Sequence, residues 1–95
     1  MPAGVYDETR LRLDKWLFRA RFCRTRASGQ AKVRAGSIRI NGRRVDRPSV
    51  EVGPGDIVTL IVAREVLVVR VRALGLRRGS ATEAQELYER VQENA

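Results

Sequence analysis

Leu13, Trp16, Leu17 and Ala20 are spaced i, i+3, i+4 and i+7, the apolar stripe of an amphipathic helix. The pattern predicts a first helix over roughly Arg10 to Phe22, with Arg12, Lys15 and Arg19 on another face. Trp16 and Phe18 read as core and boundary packing, because large aromatics dominate small cores. Thr25 has the chemistry of an N-cap for a second helix running to Ala35, and Gly36 is placed to end it in the left-handed conformation. Gly29, in the middle of that helix, predicts close packing against the first.

Period-two alternation takes over at Ser37-Ile38-Arg39-Ile40, and Asn41-Gly42 is a strong hairpin-turn signal. Arg43-Arg44-Val45 begins the return strand, and Val50 and Val52 continue an extended path. Gly53-Pro54-Gly55-Asp56 suits a type II turn, with Pro54 and Gly55 at its centre. Ile57 to Val62 is apolar on both faces and so predicts a central strand. Arg64-Glu65 reads as a loop, and Val66 to Val71 as the returning strand. Gly75 to Gly79 is a loop carrying Arg77 and Arg78. Ser80 followed by Glu83 is a capping-box pattern. The stripe Ala84, Leu87, Tyr88 and Val91 predicts a C-terminal amphipathic helix packed on the sheet. The fold class expected is α+β: two packed N-terminal helices on a small twisted antiparallel sheet, plus that last helix. Residues 1–9 lack periodicity and are expected to be a flexible N-terminus, leaving one domain over 10–95.

Length and composition narrow the picture. Ninety-five residues hold one core, and 43% apolar residues are too many for a disordered tail. Apolar runs fall short of a membrane span, and the polar, mixed-charge start does not read as a signal peptide, so a cytoplasmic protein with no membrane partner is expected. The net charge is +8, and it is unevenly spread. Met1 to Arg47 carries thirteen cations and four acids, whereas Pro48 to Ala95 carries six cations and seven acids. A field this lopsided is the footprint of a polyanion partner. Seventeen of the nineteen cations are Arg, which forks onto phosphate and stacks on bases.

Catalytic chemistry has little to stand on. The sequence has no His and one Cys, so a Cys-based zinc cage, an internal disulfide and a His-activated nucleophile are all excluded. Asp14 and Asp46 are the only acids in the folded part of the basic half; each reads as an ion-pair partner of neighbouring Arg, with Asp14 structural or orienting. Cys23 reads as a small buried hydrophobe. The glycines at 53 and 55 do not make a phosphate loop, because no Gly-Lys-Ser/Thr follows. A non-enzyme without cofactor or metal is expected.

Cations gather in three stretches instead: Arg12, Lys15 and Arg19; Arg24, Arg26, Lys32 and Arg34; and Arg39, Arg43 and Arg44. Two helices packed side by side and followed by a hairpin would bring these together as a nucleic-acid surface. Composition does not choose between RNA and DNA, and weak DNA binding is expected alongside RNA binding, since phosphate contacts carry no sequence information. A monomer is expected.

The segment RLDKWLFRARFCRTRASGQAKVRAGSIRING resembles the RNA-binding domain named after small-subunit ribosomal protein S-four. The resemblance rests on the RLDKWL opening, Thr25-Arg26, the G-x-I-x-I-N-G run from Gly36 to Gly42, and VGPGD from Val52 to Asp56. It is strongest to the ribosome-associated heat-shock proteins of the fifteen-kilodalton class. A sister group, the small factor of bacterial ribosome quality control, shares the opening and a tail like ATEAQELYE, Ala81 to Glu89. The resemblance implies that Arg12, Lys15, Arg26 and Arg43 contact RNA, while Asn41 and Gly42 shape the turn that presents them. It implies ribosomal RNA of the large subunit and tRNA or peptidyl-tRNA as partners, in rescue or recycling after stalled translation. The alternatives are support of the C-terminal tailing of nascent polypeptides, or a detached accessory module of an RNA-modifying enzyme.

Overall fold

The computed structural model describes residues 9–91. Leu11–Arg12 (β1) leads straight into Leu13–Arg19 (α1), and Arg26–Arg34 (α2) follows. Then come Ile38–Ile40 (β2), Arg43–Val45 (β3), Glu51–Val52 (β4), Ile57–Val62 (β5) and Glu65–Val71 (β6), followed by the short helix Ala81–Gln85 (α3) and Tyr88–Arg90 (β7). The class is α+β, as the pattern predicts. A five-stranded antiparallel sheet has the order β3-β2-β5-β6-β7, and β1 and β4 form a separate ribbon. The doubly apolar β5 is the central strand.

The first helix is shorter than its periodicity predicts, for reasons at both ends. Leu11 and Arg12 pair with Val52 and Glu51, and the first helical N–H groups, of Leu13 and Asp14, donate to the carbonyls of Val50 and Pro48. The 48–52 segment thus satisfies donors that another turn of helix would have used. At the other end Arg21 adopts a positive φ of 65°, Arg21 N–H donates to Phe18 O and Phe22 N–H to Leu17 O. That is a Schellman stop built without glycine.

The second helix follows its sequence closely. The Thr25 hydroxyl accepts from Ser28 N–H at 3.0 Å and the Ser28 hydroxyl accepts in return. Gly36 ends the helix with a φ of 77°. A Cβ on Gly29 would stand 3.4 Å from Cys23 Sγ and 3.6 Å from the Asp14 carbonyl, so α2 lies against α1 at this point.

The C-terminal amphipathic helix is the main correction. The Ser80–Glu83 capping box forms, but α3 covers only Ala81–Gln85. Residues 88–90 turn into β7 and complete the sheet beside β6, pairing Val71 with Tyr88, Arg70 with Glu89 and Val69 with Arg90. The free edge of β6 offers a row of backbone partners that a helix could not satisfy. Leu87 still reaches the core and Tyr88 packs on the Phe22 ring, so apolar spacing that fits a helix serves a helix–strand junction as well. A smaller correction falls in the second hairpin, where the turn is Ala63-Arg64 and Glu65 already belongs to β6.

The core joins Leu13, Trp16, Leu17 and Val33 from the helices to Ile38, Ile40, Val58, Leu60, Val69 and Val71 from the sheet. Trp16 is fully buried and its indole N–H donates to Ala73 O at 3.0 Å. Cys23 is buried and free, and burial pushes its thiol up, consistent with a packing role. The flexible segment expected at 1–9 lies outside the described residues except for Thr9, whose carbonyl rests against Gly53 where a side chain would collide.

Candidate RNA-binding surface

One charged side chain is fully buried among the described residues: Asp14, in the first turn of α1. Arg12 grips its carboxylate with both Nε (3.1 Å to Oδ1) and Nη2 (2.9 Å to Oδ2). Gln30 Nε2 donates to Oδ2 at 3.0 Å, and Arg26 Nη2 lies 3.5 Å from the same oxygen. Burial pushes the Asp14 carboxyl up, but the bonds from Gln30 and Arg12 and the charges of Arg12 and Arg26 outweigh it and hold the group below the usual carboxylate range. The carboxylate is thus ionised at neutral pH and neutralises one of two guanidinium groups. Both remain about two-fifths exposed, 41% for Arg12 and 44% for Arg26. The cluster keeps one net positive charge with guanidinium edges open to solvent.

The other predicted residues divide. Lys15, half-buried, lies on α1 three residues beyond Arg12. Arg19 sits at the far end of α1, about 10 Å along its axis from Arg12, and donates to the Gly75 carbonyl at 2.6 Å. Arg43 stands opposite Ile40 and so shares its side of the sheet, the side that faces the helices. Arg39 and Arg44 are cross-strand partners on the opposite, outward face. The Arg44 guanidinium folds over Gly36, filling the space of a missing Cβ. The structure therefore brings Arg12 and Arg26 together on one carboxylate, keeps Lys15 on α1 three residues after Arg12, and sends Arg39 and Arg44 to the outward face of the sheet.

Asn41 and Gly42 form the turn, with φ of 53° and 83°. The Asn41 side chain accepts from Ile57 N–H at 2.9 Å and donates to Asp56 Oδ1 at 3.1 Å. Asp56 Oδ2 in turn accepts from Gly53 N–H at 2.8 Å. The type II turn forms as predicted, with Asp56 N–H donating to Gly53 O and Gly55 at a φ of 98°. The two motifs therefore form one hydrogen-bonded unit that fixes the hairpin tip. Sequence reasoning missed Gln30 and the Asn41–Asp56 link, since sixteen and fifteen residues separate the partners.

Arg78, expected as a loop cation, instead caps α1. It donates to Phe18 O at 3.2 Å and its guanidinium lies 5.0 Å from the Phe18 ring centroid. No helix among the described residues is long and apolar enough to cross a membrane.

A helix pair leading into a hairpin, with cations on the exposed side, is the architecture of a small RNA-binding domain, and comparison with known proteins says which one. The S4 domain family matches residues 11–58. A heat shock protein 15 homolog of Aeromonas salmonicida is 36% identical over 89 residues, 94% of this chain and 67% of that protein. Small ribosomal subunit protein uS4 of Persephonella marina is 47% identical over 49 residues, covering 52% of this chain and 24% of its own length. The trimeric structure of Vibrio cholerae heat shock protein 15 superposes with a TM-score of 0.82 at 35% identity, covering 86% of this chain and 82% of the other. The chain belongs to the S4 domain family of RNA-binding domains and, within it, to the heat shock protein 15 group. It spans 62% to 67% of the length of the heat shock protein 15 relatives it matches.

Proposed function

We propose that this protein binds large ribosomal subunits that carry peptidyl-tRNA, in the cytoplasm, in the rescue or recycling that follows stalled translation. The observation that supports the reading is the pair of partly exposed guanidinium groups, Arg12 and Arg26, sharing the one buried carboxylate of Asp14. Guanidinium groups held in place suit phosphate oxygens, and phosphate contacts position a protein without reading sequence. Selectivity then comes from the shape of the helix pair and hairpin against folded RNA. Ribosomal RNA and tRNA engaged together give a domain of this size a firm hold through effective concentration. A monomer suffices for this reading; analytical ultracentrifugation of the free protein distinguishes it from a trimer.

The test is sucrose-gradient sedimentation of tagged protein, at near-physiological salt, from bacterial cells with stalled translation. The expected result is co-migration with large subunits, lost in the Arg12→Ala/Arg26→Ala double variant. Equal spread over small subunits, large subunits and free RNA overturns the rescue reading and leaves a general RNA binder.

A further inference from the structure

We infer that Asp14 is a positioning residue for RNA binding: it holds the Arg12 and Arg26 guanidinium groups in a preset arrangement for phosphate, with Gln30 steadying the carboxylate. The inference deepens the reading above and rests on it.

Asp14 lies on the RNA side of the molecule, where charge alone makes it a liability. An acid beneath two cations cancels one of them and repels phosphate. Burying it adds a desolvation cost that only several partners offset. Those partners come from separate elements. Arg12 belongs to β1, at its junction with α1, while Arg26 and Gln30 belong to α2. An ion pair whose purpose was to tie α1 to α2 needs only Arg26 and Gln30. The bidentate grip on Arg12 ties a residue two positions away and adds nothing to helix–helix contact. Its effect is on Arg12 itself. The carboxylate occupies Nε and one Nη2 proton, which fixes the plane of the guanidinium and leaves Nη1 unengaged by Asp14. Arg26 is held beside it through its own Nη2, on the shared Oδ2. Two flexible side chains that would each be ordered on binding are ordered beforehand, and preorganisation of this kind raises affinity without adding a contact.

Charge and positioning give opposite signs. If Asp14 acts only as a negative charge, Asp14→Asn raises the net charge of the face, tightens RNA binding and steepens its salt dependence. If Asp14 positions the arginines, Asp14→Asn weakens binding although the face has become more positive. The Asn amide removes the charge that Arg26 pairs with and one of the two oxygens to which Arg12 and Gln30 donate.

The experiment titrates labelled protein with purified bacterial large subunits at two salt concentrations, with melting curves confirming that each variant is folded at the assay temperature. Asp14→Asn is measured in the wild-type protein and in the Arg12→Ala/Arg26→Ala background. The expected result is a loss of about fivefold or more in wild type, the coupling typical of groups in one ion-pair network, and no further loss once both arginines are gone. Gln30→Ala, which leaves all charges in place, is expected to give a smaller loss of the same kind, and it carries the test if Asp14→Asn does not fold. A tightening on Asp14→Asn, or an equal loss in both backgrounds, overturns the positioning role while the binding surface stands. Unchanged binding by Gln30→Ala also overturns it. Unchanged affinity of Arg12→Ala/Arg26→Ala overturns the surface itself, and the positioning role with it.

Discussion

The domain contains two hairpins whose turns share a backbone and differ in almost everything else. Asn41 and Gly42 turn β2 into β3 with φ of 53° and 83°; Ala63 and Arg64 turn β5 into β6 with φ of 52° and 69°. Positive φ at both central residues is the two-residue turn that matches strand twist. Asn and Gly adopt it readily, whereas Ala and Arg are strained there. The first turn is also fastened to the body by Asn41, through Ile57 N–H and Asp56. Its arms carry Arg39, Arg43 and Arg44. The second hairpin runs past the end of β2, which pairs with β5 only at Val58 and Thr59, and it exposes Ile61, Val62 and Val66. The first turn is specified by its own residues, the second by the six-pair ladder between its arms.

The largest effect that would break this contrast is expected at Gly42. A Cβ there meets nothing within 4 Å, so any cost of substitution is backbone conformation alone. Gly42→Val is expected to lose about 2 kcal/mol, a fall in Tm of roughly 10 °C. A Tm within a degree of wild type would show that the turn is not fixed by its own residues. Asn41→Ala comes next, at about 1.5 kcal/mol, because Ile57 N–H and Asp56 lose their partner. Chemical denaturation with an unchanged m-value would confirm it. In the second hairpin the sign reverses: Arg64→Gly relieves left-handed strain against a Gly entropy cost, for a net gain of about 0.5 kcal/mol, measurable as a raised midpoint in urea. The smallest effect on stability, and the sharpest on function, compares single cations. Arg43→Ala is expected to lower the salt slope of RNA binding by somewhat under one unit, while Arg64→Ala leaves it where it was. Both should melt within about 0.5 kcal/mol of wild type.

The same contrast explains what was legible in the sequence. Asn-Gly, the Thr25 and Ser80 caps, Gly36 and the alternation of β2 are local devices, each written in a few adjacent residues, and each forms where expected. The doubly apolar β5 announces its central place for a similar reason. What failed depends on partners far along the sequence. Nothing in Arg10-Leu11-Arg12 shows that Val52 and Glu51 will take those residues as a strand, and nothing in Leu87 to Arg90 shows the open edge of β6. Among the site residues, the charge runs identify Arg12 and Arg26, but only the fold brings both onto Asp14. Arg19 is indistinguishable from Lys15 in sequence and differs by having the Gly75 carbonyl within reach.

The loop at 75–79 is clamped to the end of α1 by Arg19, Arg21 and Arg78, across 56 to 60 residues of sequence, and Trp16 reaches Ala73 across a similar span. A polypeptide wired in this way completes the contacts of its first helix only after more than fifty further residues have been made. The indole and the α1 carbonyls wait for acceptors and donors made more than fifty residues later, and the closing strand arrives only at residue 90. Long-range closure of this kind slows folding. The basic half is made first, and the half with net charge −1 supplies the later contacts that complete the packing of α1.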